Sequence, residues 1–183
     1  MTRISIPNTI SDAPEASQEL LQNVEASLGS VPNMFRLIGN SAATLEGLLG
    51  LQGGLNKGSL KPAIRERIAL AIANYNGCDY CNSAHTYLAK NLVKLDDAEI
   101  EASRTGRSSD GVINAAVSFA LKVAQARGRV SEADIAAVKL AGYSDAEVIE
   151  IVGHVALNTF TNYVNEAFAT KIDFPVVEAA RAA

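Results

Sequence analysis

Tryptophan is absent from this sequence, aromatic residues make up only 5% of it, and cysteine and histidine occur twice each. Basic clusters are missing too: 16 Lys and Arg are scattered among 20 Asp and Glu, for a net charge of -4. Nucleic-acid binding, which needs concentrated positive charge, therefore has no electrostatic footprint. The longest clean apolar run, Ile68 to Ala73, falls far short of the roughly 20 residues that span a bilayer, and no membrane partner is expected. Met1 to Ser17 holds one Arg, then acids and two prolines, without the apolar stretch of a secretory leader; a cytoplasmic protein is expected. Two cysteines only three residues apart, Cys78 and Cys81, cannot staple distant segments. In a reducing compartment such a pair points to redox chemistry or a metal.

What remains is the composition of an ordinary folded domain: 183 residues, 48% hydrophobic and 20% charged. At roughly 150 residues per domain this is one unit with a sizeable core. No stretch combines β-branched enrichment with strict alternation, whereas helix starts and stops are legible throughout, so the expected fold is all-α, a compact helical bundle. Asp96-x-x-Glu99, Ser131-x-x-Asp134 and Ser144-x-x-Glu147 have the form of capping boxes. Gly29, Gly58, Gly106, Gly128 and Gly142 stand where a positive φ closes a last turn, and Pro32 and Pro62 fit first-turn positions. Helices are predicted at 14–28, 32–39, 42–57, 62–76, 79–92, 97–105, 110–127, 132–141 and 145–170. The expected organisation is a single domain over 1–183, with 1–30 a helical extension and 171–183 a tail on the surface or on a neighbouring subunit. Ile68, Leu70, Ala71 and Ala73, and Val112, Ala115, Ala116, Phe119 and Val123, recur at helical spacing and read as core.

Chemistry concentrates between Glu66 and His85. Gly77 is a helix-breaking residue by type, placing Cys78 at the start of the next helix, where free N–H groups and the helix dipole favour a thiolate. Cys81 lies one turn on and His85 four residues beyond it, on one helical face. If 62–76 and 79–92 pair antiparallel about Gly77, a rise of ~1.5 Å per residue puts Glu66 roughly 16 Å and His85 roughly 12 Å from the turn, so the two can meet. The order implied is Glu66 orienting His85 and His85 serving Cys81, directly or through a water. The proximity of His85 favours Cys81 as the attacking thiol, while the helix start favours Cys78. Glu66 to Ala73 also has a faint echo in Glu147 to His154, which would align Thr159 and Asn162 with the two cysteines.

The pattern Glu66, eleven residues, Cys78-x-x-Cys81, three residues, His85 resembles the alkylhydroperoxidase AhpD core within the carboxymuconolactone decarboxylase family. Val31-Pro-Asn-Met-Phe and the stretch Gly153-His-Val-Ala-Leu-Asn-Thr-Phe-Thr-Asn-Tyr resemble its peroxidase-related branch. The resemblance implies the all-helical AhpD-like fold, a homo-trimer or homo-hexamer, and reduction of organic hydroperoxides through a disulfide cycle, with Glu66, Cys78, Cys81 and His85 catalytic. It implies no cofactor and no metal, and a dithiol reductant, either lipoyl-bearing or thioredoxin-like. Tyr80 stands where family members often carry His; as a phenol it is a poor base but can donate a hydrogen bond to a peroxide oxygen. The decarboxylase members lack the paired cysteines, which argues against lactone decarboxylation here.

Other readings of the same residues are a non-enzymatic redox-sensing or disulfide-exchange oligomer, and a metal site, since Cys78, Cys81, His85 and His154 together make a Cys₂His₂ set. His154, in an apolar helix with Asn158 one turn on, reads as a hydrogen-bonded core histidine. Tyr75, Tyr80, Tyr87, Phe119 and Phe160 are the aromatic candidates for an apolar substrate pocket.

Overall fold

The computed structural model describes residues 2–180. After a 3₁₀ turn at Ile10–Asp12 come α1 (Glu15–Leu28), α2 (Asn33–Ile38), α3 (Ala42–Asn56), α4 (Pro62–Tyr75), α5 (Asp79–Leu88), α6 (Asp97–Arg104), α7 (Gly111–Gln125), α8 (Glu132–Leu140) and α9 (Asp145–Phe168). No strand forms among the described residues. The helix predicted over 79–92 runs as α-helix only to Leu88; a π-turn at Ala89–Val93 follows and ends at Lys94 in the left-handed region (φ 62°).

Helix α4 is the hub. Ile64 and every residue from Arg67 to Ala73 are buried, because α5, α6, α7 and α9 all pack around it. Its alanines bring those neighbours close. Ile68 and Ile72 share a core with Ala116, Phe119, Ala120 and Val123 of α7 and with Ile151 and Val155 of α9. Val112, expected in that core, is 52% exposed instead, since it sits in the first turn of α7, one face away. A second core joins α1, α2 and α3, and Leu157 and Val164 of α9 close it. Arg67, the buried charged residue of α4, is held by Glu99 of α6 at 3.0 Å.

Local signals explain most helix ends. Ser131 and Ser144 form complete capping boxes. At Asp96 only half the box forms: its carboxylate caps Glu99, but the Glu99 side chain turns to Arg67, Ser108 and Ser109. Pro32 is the N-cap of α2 rather than part of its first turn. Gly29, Gly106, Gly128 and Gly142 have positive φ as expected, but Gly58 does not. Its role is close approach: a Cβ there would lie 2.6 Å from the Glu150 carboxylate, which accepts hydrogen bonds from the Ser59 and Leu60 N–H groups.

Past α9, the chain turns back over the molecule. Asn33 N–H donates to Asp173 at 2.7 Å, Val177 N–H to Ser83 Oγ at 2.9 Å and Ala179 N–H to Asp79 at 2.8 Å. The tail thus lies along α5 of its own chain; its last three residues fall outside the described ones.

Candidate active site

Gly77 makes the site possible. With φ 71° it turns the chain out of α4, its N–H bonding to Asn74 O and that of Cys78 to Ala73 O, a pairing that closes a helix through a left-handed residue. Cys78 then becomes the N-cap of α5, and its sulfur accepts the Cys81 N–H at 3.3 Å, where a serine or aspartate oxygen would ordinarily act. Both thiols are free and buried, at 0% and 3% exposure.

One turn beyond Cys81, His85 Nδ1 lies 2.9 Å from Glu66 Oε2 of α4, each side chain 21% exposed. The α4–α5 hairpin thus joins the acid and imidazole that the spacing predicted to meet. Burial alone would depress the His85 pKa, but the charge and hydrogen bond of Glu66 outweigh it and hold the imidazole above its ordinary value.

The two thiols are driven apart electrostatically. A hydrogen bond from Cys78 is the largest influence lowering Cys81; burial opposes it, and the His85 charge and the amides of Asn165 and Asn162 add to it, bringing the thiol to about 7. Cys78 is pushed the other way, by its bond to Cys81 and by burial. The helix start alone therefore does not lower Cys78. As N-cap, Cys78 receives one backbone N–H, which its burial and the neighbouring sulfur outweigh.

Around the sulfurs, Met34 of α2 and Ile172 and Phe174 of the tail pack against Ala73, Cys78, Tyr80 and Cys81. The Tyr80 hydroxyl accepts the Met34 N–H at 3.2 Å and bonds to Asp173, while its ring meets Phe174 edge-on at 5.8 Å. Burial foremost raises its pKa. The hydroxyl offered by the sequence as a donor to substrate is thus engaged in tying α5 to α2 and the tail. The aromatic candidates do not gather: Phe119 lies in the α4–α7–α9 core, Tyr75 and Phe160 are 47% and 37% exposed, and Tyr87 joins Tyr80 on Phe174.

Sequence reasoning placed α9 but missed its asparagines as part of the site. Asn165 Nδ2 donates to Cys81 Sγ at 3.2 Å, and Asn162 Oδ1 accepts from Asn76 Nδ2 at 2.9 Å. The signal was present: Asn158, Asn162 and Asn165 follow i, i+4, i+7 on one face of an otherwise apolar helix. The faint echo had aligned Asn162 with Cys81, yet α9 runs unbroken where α4–α5 turns, and Asn162 instead meets the Cys81 site itself.

His154 is 4% exposed, with no partner for Nε2, and burial chiefly, then the Arg65 charge, lowers it to about 4. It is a neutral core histidine, but not a fully hydrogen-bonded one. Among the described residues, no group of three or more His, Cys, Asp or Glu side chains is arranged to hold a metal ion, so the Cys₂His₂ set does not assemble. Nor is any helix among them long and apolar enough to cross a membrane.

Comparison with known proteins bears on the family and the fold. Residues 42–126 match the model of the carboxymuconolactone decarboxylase family. None of the curated proteins compared matches the chain. Among solved structures, the alkylhydroperoxidase AhpD core of an uncharacterized peroxidase-related protein from Ralstonia eutropha JMP134 superposes with a TM-score of 0.83 at 22% identity, covering 94% of this chain and 92% of that one. An uncharacterized peroxidase-related protein from Silicibacter sp. TM1040 gives 0.80 at 24% identity, covering 93% and 91%. The debrominase Bmp8, in complex with 2,3,4-tribromopyrrole, gives 0.77 at 21% identity, covering 94% of each chain. The shared architecture is the all-helical AhpD-like fold.

Proposed function

Since residues 42–126 belong to the carboxymuconolactone decarboxylase family, and the fold is AhpD-like, we propose that this chain is a thiol peroxidase that reduces organic hydroperoxides through the Cys78–Cys81 pair. The observation that carries the reading is the grouping of two free, buried thiols, the first capping the second, with a histidine one turn on that a carboxylate holds; the electrostatics favour Cys81 as the charged one. A thiol with a pKa near ambient pH combines thiolate population with nucleophilicity.

Cys81 thiolate attacks the outer oxygen of the hydroperoxide. An S–O bond forms as the O–O bond breaks, sulfur gives up two electrons, and the alkoxide leaves. His85, kept protonated by Glu66, supplies the proton that converts this leaving group to the alcohol. The sulfur of Cys78, protonated until this point, then displaces hydroxide from the sulfenic acid. Its own proton leaves in the resulting water, and the disulfide is formed. An external dithiol, lipoyl-bearing or thioredoxin-like, returns both thiols by exchange. Cys81 attacks, His85 held by Glu66 protonates the leaving group, and Cys78 resolves; Tyr80 holds the tail in place. The exposed apolar side chains along α9, Ile149, Val152, Phe160 and Tyr163, suit the homo-oligomer that the family resemblance implies.

Free-thiol titration before and after one equivalent of cumene hydroperoxide tests the reading. Wild-type protein is expected to lose both thiols promptly, Cys78→Ser to stop at a sulfenic acid that dimedone captures, and Cys81→Ser to react no faster than free cysteine. Thiols that survive peroxide at such slow rates in the wild type would sink the proposal. Consumption of 2,3,4-tribromopyrrole in place of hydroperoxide would move the assignment to the chemistry named for Bmp8.

A further inference from the structure

Where α9 passes behind the thiols it presents amides. Asn158, Asn162 and Asn165 are 5%, 0% and 2% exposed, and buried amides are retained only where their hydrogen-bonding groups are used. Asn158 is satisfied within its own helix, donating to His154 O at 2.8 Å. The other two are not spent on the backbone. Asn165 donates to the Cys81 sulfur at 3.2 Å, and its Oδ1 has no partner. Asn162 is anchored through its oxygen by Asn76, and its nitrogen meets no hydrogen-bond partner; it lies near enough to Cys81 to lower that thiol.

A neutral thiol is a weak acceptor, whereas a thiolate accepts strongly. Buried donors aimed at a sulfur therefore suit its charged form. We propose that Asn165 is a catalytic residue, binding the Cys81 sulfur as an anion through its side-chain amide, and that Asn162, oriented by Asn76, is a second donor to the same charge. This rests on the reading of Cys81 as the attacking thiol. At 3% exposure the sulfur has little water to solvate it, and fixed amides supply that solvation without having to reorganise as charge leaves for the peroxide oxygen. The same donors make the pair unequal. Asn82, the corresponding amide on α5, gives its Nδ2 to the Cys78 carbonyl rather than to the Cys78 sulfur.

The test reads the thiolate itself. In a Cys78→Ser background, which leaves one thiol and keeps a hydroxyl donor beside it, the rate of iodoacetamide alkylation is followed against pH. Asn165→Ala is expected to move the midpoint upward by about one unit, the scale of one lost hydrogen bond to a charged group. Asn165→Asp, of the same shape but with an acceptor facing the sulfur, is expected to move it further; Asn162→Ala is expected to move it less. Ile151→Ala, which loosens the core without touching the sulfur, is expected to leave it in place. A midpoint unmoved in folded Asn165 variants would overturn the inference, even if their thermal stability fell. A shifted midpoint supports it whether or not hydroperoxide is consumed, so failure of the peroxidase reading is seen separately in the wild-type thiol titration.

Discussion

The two buried stretches of α9 differ in chemistry far more than in exposure. Ile151 and Val155, near its start, enter an aliphatic core with Ile68 and Ile72 of α4; Asn162 and Asn165, near its end, are as deeply buried but lie against Asn76 and Cys81. The first stretch stabilises by removing apolar surface from water, which another apolar side chain of similar volume and shape would also do. The second has unpartnered polar atoms and contributes little by packing. Amides at such positions beside a sulfur are what the proposed anion binding needs, and they show that burial alone does not identify core.

The contrast can be broken at the apolar end first. Ile151→Ala is expected to cost about 2–5 kcal/mol, the transfer and cavity loss of a fully buried branched side chain, measured by urea unfolding, with no change in thiol reactivity. His154, between the two stretches, sharpens the comparison through pH. Its folded pKa, about 4, lies below the ordinary 6.5, so the unfolded chain binds the proton first. The stability it lends is present at neutral pH and is lost as pH falls from about 6.5 towards 4, a drop on the order of 3 kcal/mol. His154→Gln should flatten that acid limb in thermal melts. At the polar end, Glu66→Gln removes the charge that raises His85. The imidazole then deprotonates at lower pH and the Cys81 titration moves up. Peroxide reduction at neutral pH is expected to fall by about 10- to 100-fold, at or below the lower end of the ~100- to 10,000-fold range of a lost general acid because His85 itself remains, and its decline on the alkaline side should begin at lower pH.

Much of this was legible in the residues. The helix register followed from caps and glycines, because Ser131, Ser144 and Gly77 act through bonds within a few residues of themselves. The meeting of Glu66 and His85 was legible for a related reason: two helices joined by one tight turn have little freedom in how they pair. Gly58 was misread because its reason lies 92 residues away, at Glu150. Tyr80 was read as facing substrate, yet Asp173, far along the chain, bonds to its hydroxyl.

The sequence by itself determined the all-helical class, nearly every helix end and the grouping of acid, thiols and imidazole, since each is written in local spacing. Which sulfur is favoured as the charged one depends on tertiary surroundings that local spacing does not show. A helix start favours a thiolate at Cys78, but the pKa of a buried thiol follows the groups that surround it. Those around Cys81, the amides of α9 and the imidazole held by α4, come together only when the chain has folded.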